Sequence, residues 1–155
     1  MHIKGIQDEE FLNYKKPSMF ICTTKCSFKC GKDICSNAEL MEEPDIEIPV
    51  SELVTRYKNN PITEAIVVGG LEPFDTFSDL IDLLEGFRDG GVEDYIVIYT
   101  GYEKSEIAPA VQFIANMYKN IIIKFGRFKY LSRSKFDDIL GVTLASENQY
   151  AEKIC

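Results

Sequence analysis

With 155 residues and an apolar fraction of 45%, the chain has the length and composition of one globular domain with a substantial core. Its net charge of −8 excludes a general affinity for nucleic acid, because phosphate binding needs clustered Lys and Arg. No apolar run is long enough to span a bilayer and the N-terminus is polar and acidic, so we expect a cytoplasmic protein with reduced thiols.

Apolar runs typical of strands alternate with helical patterns along the chain. The predicted strands cover residues 18–22, 65–68, 95–100, 120–125 and 142–145. The predicted helices cover residues 50–57, 76–88 and 105–118, with Pro109 in the first turn of the last one. We see no repeat, linker or low-complexity segment that would divide the chain.

This alternation indicates βαβ units and a parallel sheet, with strands buried on both faces. Because a complete eight-unit barrel needs about 250 residues, we expect an α/β fold with an open, mainly parallel sheet or a partial (βα) barrel. Ligands bind such sheets at the carboxyl ends of the strands. The cysteine loop, Gly69-Gly70, Thr100-Gly101 and Gly126 all follow predicted strands, so we expect them to converge.

Four cysteines, Cys22, Cys26, Cys30 and Cys35, lie within fourteen residues. Thiolates this close together need a disulfide framework, a zinc site or an iron–sulfur cluster. Reduced thiols and an odd total of five cysteines argue against disulfides, and the only histidine, His2, excludes most mixed Cys/His zinc sites. One unbroken loop favours a cluster over zinc, with either three or four cysteines as ligands.

The segment Cys26-Ser-Phe-Lys-Cys30-Gly-Lys-Asp-Ile-Cys35-Ser-Asn37 resembles the cluster loop of radical S-adenosylmethionine enzymes, Cys-x3-Cys-x2-Cys followed by His-Asn or a similar pair. It is most similar to the activating proteins of anaerobic (class III) ribonucleotide reductase. The second gap departs from that pattern, with four residues instead of two. Residues 68–74, 98–102, 125–128 and 141–149 resemble further segments of the same family in the same order.

The resemblance implies one radical S-adenosylmethionine domain of reduced size over residues 1–155, with its cluster loop at 22–37. Cys26, Cys30 and Cys35 would hold a [4Fe-4S] cluster whose fourth iron binds S-adenosyl-L-methionine. Reductive cleavage would give a 5′-deoxyadenosyl radical that abstracts a glycine Cα hydrogen from the reductase. The implied partners are the large chain of anaerobic ribonucleotide reductase and a one-electron donor such as flavodoxin or ferredoxin, without nucleic acid or membrane.

The resemblance also assigns cofactor contacts to residues in the cysteine loop or just after predicted strands. These are Ile34, Asn37, Gly69, Gly70, Glu72, Thr100, Gly101 and Arg127. The backbone at Ile34 would contact adenine, the two glycines would let the methionine end approach closely, and Glu72 would bind its amino group. The last three are candidates for ribose or carboxylate contacts, and Asn37 completes the pair that ends the loop motif.

Simpler interpretations remain beside these assignments. Cys22 fits a buried strand thiol, although Cys22, Cys26 and Cys30 form a rival ligand set. Taken alone, Glu72 fits a solvated carboxylate and Arg127 a surface ion pair. The alternative functions are a zinc-binding interaction module, an electron carrier with four cysteine ligands, and an activase of another glycyl-radical enzyme.

Overall fold

A computed structural model describes residues 1–155 and contains ten β-strands and three α-helices. The strands are β1 (His2–Ile3), β2 (Gly5–Glu10), β3 (Ser18–Cys22), β4 (Ile46–Glu47), β5 (Ala65–Gly69), β6 (Tyr95–Tyr99), β7 (Ile121–Phe125), β8 (Lys135–Asp137), β9 (Val142–Leu144) and β10 (Tyr150–Lys153). The helices are α1 (Val50–Asn59), α2 (Phe77–Asp89) and α3 (Ala108–Met117). None of these helices has the length and apolar character needed to cross a membrane.

The main sheet has six strands in the order β10-β7-β6-β5-β3-β2. Its four central strands, β3, β5, β6 and β7, pair in parallel, and the two edge strands pair antiparallel. The central strands lie side by side in chain order and are joined through α1, α2 and α3. Their carboxyl ends therefore lie at one edge of the sheet, where the loops that follow them meet.

The central strands are mainly apolar because they are covered on both faces. Every residue of β5 and of β7 is buried. One face packs against the helices in a core that includes Leu53, Leu84, Phe87 and Ile114. The other face packs against Tyr14, Leu140 and Leu144, which come from a loop and a hairpin.

Several elements differ from the sequence-based predictions. The helix predicted from residue 105 begins at Ala108, after a short 3-10 turn, with Pro109 in its first turn. The predicted strand at 142–145 lies outside the main sheet and pairs with β8 in a separate hairpin. The edge strands β2 and β10 escaped prediction because their polar sequences carry little apolar pattern. The partial-barrel form of the sheet stays a prediction.

Candidate functional site

The cysteine loop leaves the end of β3 and is attached near both of its ends to the segment after β5. The Glu72 amide donates to the Lys25 carbonyl at 2.8 Å. Near the other end of the loop, the Asn37 side-chain amide donates to the Gly70 carbonyl at 2.9 Å. Between these attachments the chain forms a short 3-10 turn at Lys32–Ile34. The loop is therefore held at both ends against one strand end.

A cavity of about 570 Å³ lies beside this loop at the carboxyl ends of the parallel strands. Its volume is within the usual range for small-molecule and cofactor sites. Ten of the eleven site residues predicted from the sequence line it: Cys26, Cys30, Ile34, Cys35, Asn37, Gly70, Glu72, Thr100, Gly101 and Arg127. Gly126 lines it as well, so the four loop segments expected to converge are brought together.

The three cavity cysteines are half-buried and free of disulfides. Burial raises the pKa of the Cys26 thiol to about 11 and also raises the pKa of Cys30, to which the neighbouring Cys35 contributes. Without a metal these two thiols are protonated at neutral pH, so thiolate ligation would release protons.

Three thiols on the wall of one cavity fit the ligand set of an iron–sulfur cluster. No three His, Cys, Asp or Glu side chains converge closely enough to hold a single ion. A [4Fe-4S] cluster places a different iron on each thiolate, so its ligands surround a bulky group and lie farther apart. The cavity has room for such a group beside Cys26, Cys30 and Cys35.

Cys22 lies apart from this set. It is 5% exposed at the end of β3 and does not line the cavity. A methyl group on Gly70 would overlap the Cys22 sulfur, so the thiol packs directly behind the backbone of the Gly-Gly segment. This position favours the ligand set Cys26, Cys30 and Cys35 over the set that includes Cys22.

The two glycines have packing roles that the sequence did not reveal. Gly70 has a φ of +82°, which side-chain-bearing residues rarely adopt, and it lines the cavity. Gly69 is part of buried β5 and does not line the cavity. A Cβ on Gly69 would lie 3.0 Å from the Tyr99 Cβ, so close packing of adjacent strands accounts for this glycine.

Glu72 is 6% exposed, so its interpretation as a solvated carboxylate is wrong. Its carboxylate accepts hydrogen bonds from the Thr100 hydroxyl at 2.8 Å, the Gly101 amide at 2.8 Å and the Phe74 amide at 3.1 Å. Burial raises its pKa, and these hydrogen bonds act in the opposite direction. Thr100 and Gly101 thus hold Glu72 in place at the cavity wall.

Lys124 is a cavity residue that the sequence analysis missed. It is 6% exposed, and its ammonium donates to the Gly126 carbonyl at 2.9 Å. Burial lowers the pKa of Lys124 to about 8, so most of the group remains charged at neutral pH. The sequence did contain a sign of this role, because a lysine interrupts the otherwise apolar run Ile121–Phe125. A charged group in a buried strand needs hydrogen-bond or charge partners.

Arg127 forms the predicted surface ion pair and also lines the cavity. Its guanidinium forms a 2.7 Å ion pair with Glu106 and lies 5.7 Å from the centre of the Tyr102 ring. The same side chain lines the cavity beside Cys30, and its charge partly offsets the rise in the Cys30 pKa. Arg127 therefore places a positive charge near the cysteines although it also pairs at the surface.

The wall of the cavity away from the helices comes from two segments to which the sequence analysis assigned no site residue. Leu12 and Asn13, between β2 and β3, lie on one side of it, and residues 142–145 lie on another. Leu12 is 82% exposed at the rim. These residues were missed because their role depends on tertiary placement.

Comparison with known proteins supports an iron–sulfur site. The sequence model of a family described as a 4Fe-4S single cluster domain matches residues 17–149, which include all four loop cysteines. Neither a curated protein nor a solved structure matches the chain. The match covers far more than half of the sequence and agrees with the thiol-lined cavity. The chain therefore belongs to the 4Fe-4S single cluster domain family.

Proposed function

We propose that the protein is a radical S-adenosylmethionine oxidoreductase that activates anaerobic ribonucleotide reductase by generating a glycyl radical. The observation that carries this proposal is the shared cavity. Three cysteines of one loop line it together with the segments that follow three parallel strands. Family membership supports the cluster, and the sequence resemblance supports the finer assignment.

The cavity offers charges of both signs to an amino-acid group. The buried carboxylate of Glu72 is suited to an ammonium, and the cations of Lys124 and Arg127 are suited to a carboxylate. All three side chains are held by other contacts, so they are oriented before a ligand arrives. This arrangement supports binding of the methionine end of S-adenosylmethionine.

Cys26, Cys30 and Cys35 would hold the cluster, which would supply the electron that breaks the S–C5′ bond of S-adenosylmethionine. The chain itself binds, orients and shields the reactants. Ile34, on the short 3-10 turn, lines the same cavity and remains the candidate for the adenine contact. The exposed rim around Leu12 leaves an approach for a protein substrate.

Anaerobic reconstitution tests the proposal. The protein is loaded with iron and sulfide and then reduced in the presence of S-adenosylmethionine. We expect 5′-deoxyadenosine and methionine from the wild type and neither product from Cys35→Ser. A well-formed wild-type cluster that yields no 5′-deoxyadenosine would refute the assignment.

The protein substrate is tested separately. Addition of the large chain of anaerobic ribonucleotide reductase to the reduced mixture should give a glycyl radical signal by electron paramagnetic resonance. Cleavage of S-adenosylmethionine without this signal would instead support an activase of another glycyl-radical enzyme. The same reduced protein should then give a radical on that partner.

A further inference from the structure

We propose that Asp75 is a positioning residue that holds the turn between Cys26 and Cys30 against the ends of the parallel strands. The inference rests on the ligand set proposed above. It concerns how the chain keeps two of those ligands in place, and none of the sequence motifs identified this role.

The two oxygens of the Asp75 carboxylate bind two different segments. One oxygen accepts from the backbone amide of Ser27 at 2.6 Å, next to Cys26. The other accepts from the hydroxyl of Tyr102 at 2.6 Å, in the segment after β6. Both bonds are short and have a charged acceptor, which makes them stronger than neutral hydrogen bonds. Asp75 itself lies on a 3-10 turn after β5, so three loops meet at one carboxylate.

Few other hydrogen bonds from outside the loop hold this turn. Within residues 26–30, Asp75 and Tyr102 are the only partners from outside the loop that form hydrogen bonds, the second through a 3.4 Å contact with the Ser27 hydroxyl. The Lys29 ammonium also lies 4.5 Å from the centre of the Tyr102 ring. These contacts all converge on Asp75 or on its partner Tyr102.

The turn has a conformation that needs outside support. Phe28 has a φ of +51°, in the left-handed region that residues other than glycine seldom occupy. Its closing hydrogen bond runs from the Gly31 amide to the Phe28 carbonyl at 2.8 Å. A residue keeps such a conformation only when contacts with the surrounding structure hold it there. The hydrogen bonds of Asp75 provide such contacts next to Phe28. Loss of Asp75 should therefore loosen the spacing of the Cys26 and Cys30 thiols.

Hydrogen exchange in the full-length, metal-free chain tests the positioning role directly. We expect Asp75→Ala to raise the exchange rate of the Ser27 amide about tenfold, because the amide loses a charged acceptor. Asp75→Asn, which retains an acceptor oxygen, should restore most of the protection. Asp82→Ala removes an exposed carboxylate on α2 and should leave Ser27 unchanged.

A second measurement uses the reconstituted protein. Loss of iron to a chelator should become about tenfold faster in Asp75→Ala, since outer-shell partners commonly contribute that much to metal retention. Tyr102→Phe, which keeps the Asp75 carboxylate, should show a smaller change and serves if Asp75→Ala does not fold.

Unchanged exchange at Ser27 in a folded Asp75→Ala variant would overturn the inference. So would wild-type iron retention in both Asp75→Ala and Tyr102→Phe. Neither measurement uses S-adenosylmethionine, so failure of the proposed enzymatic function would leave this test intact.

Discussion

The two faces of the main sheet are covered in different ways. The helix-covered face has a core of 21 buried residues, whereas the opposite core has eight. Three helices fill one face, but a loop and a two-stranded hairpin cover the other and leave the cavity beside the cysteines. We infer that the helix-covered face provides most of the stability of the fold. The opposite, open face provides the binding site.

The largest effect should come from the cysteine loop. We expect Cys26→Ser, Cys30→Ser and Cys35→Ser each to abolish retention of a complete cluster, because serine replaces a thiolate ligand. Cys22→Ser should retain the cluster, since that thiol lies behind Gly70 and outside the cavity. Iron and sulfide analysis after anaerobic reconstitution checks this, and loss of the cluster in Cys22→Ser would favour four cysteine ligands.

On the helical face, Phe87→Ala should lower the free energy of unfolding by about 3–5 kcal/mol, because it leaves a large cavity in the core. Phe87 is fully buried and packs edge-to-face on Tyr57. Urea denaturation of the metal-free chain measures the loss. Phe11→Ala, at a residue that is 64% exposed, is the control and should change stability by less than about 0.5 kcal/mol.

The same variants test whether the two faces of the sheet act independently. If the helical face mainly supplies stability, the folded fraction of Phe87→Ala should still bind a full complement of iron. A reduced iron content per folded molecule would show that the two faces are coupled.

On the open face, Lys124→Met should remove a pH-dependent part of stability. Burial lowers the pKa of Lys124 from 10.5 to about 8, so between these values the unfolded chain binds more protons there than the folded chain. Through this group, the free energy of unfolding rises by up to about 3 kcal/mol as the pH increases from 8 to 10.5, because the cost of burying the charged form disappears. The free energy of unfolding falls by the same amount as the pH decreases again.

Urea denaturation of the metal-free wild type and Lys124→Met across this range measures the effect. The difference in unfolding free energy should move in favour of the wild type as the pH rises. Parallel curves would show that the Lys124 pKa is not lowered in the folded chain.

A smaller effect is expected where the sheet meets the cysteine loop. Gly70→Ala should lower the free energy of unfolding by about 1–3 kcal/mol, because the new methyl group meets Cys22 and the backbone φ is positive. Adding Cys22→Ala removes the overlap but leaves the backbone strain, so it should restore part of the loss. A double-mutant cycle with no coupling between the two sites would contradict this packing.

The sequence predicted the elements whose signals are local. The four central strands are mainly apolar runs because both of their faces are buried, and α2 has a clear helical periodicity. The strand β2 pairs on one side only and has the polar sequence Gly-Ile-Gln-Asp-Glu-Glu, so its role depends on a neighbour distant in sequence.

In the candidate site, too, features with a local sequence signal could be predicted and features that depend on distant residues could not. The cysteines and the residues after the strands could be predicted from spacing and resemblance. The burial of Glu72 and the link from Asp75 to Ser27 could not, because both depend on how separate loops pack. Lys124 is an intermediate case. Its charge is visible in the apolar run of the sequence, but its position on the cavity wall is visible only in the structure.

The attachment of both loop ends to one strand end has a consequence for protein engineering. The bonds from Lys25 and Asn37 to the segment at Gly70–Glu72 involve no residue of the chain between them. The added conformational entropy of a slightly longer loop is small, so extra residues can extend into solvent at the exposed turn of Lys32–Ile34. The two anchors thus define a graft site where loops of other lengths can present new metal-binding sequences on an unchanged scaffold.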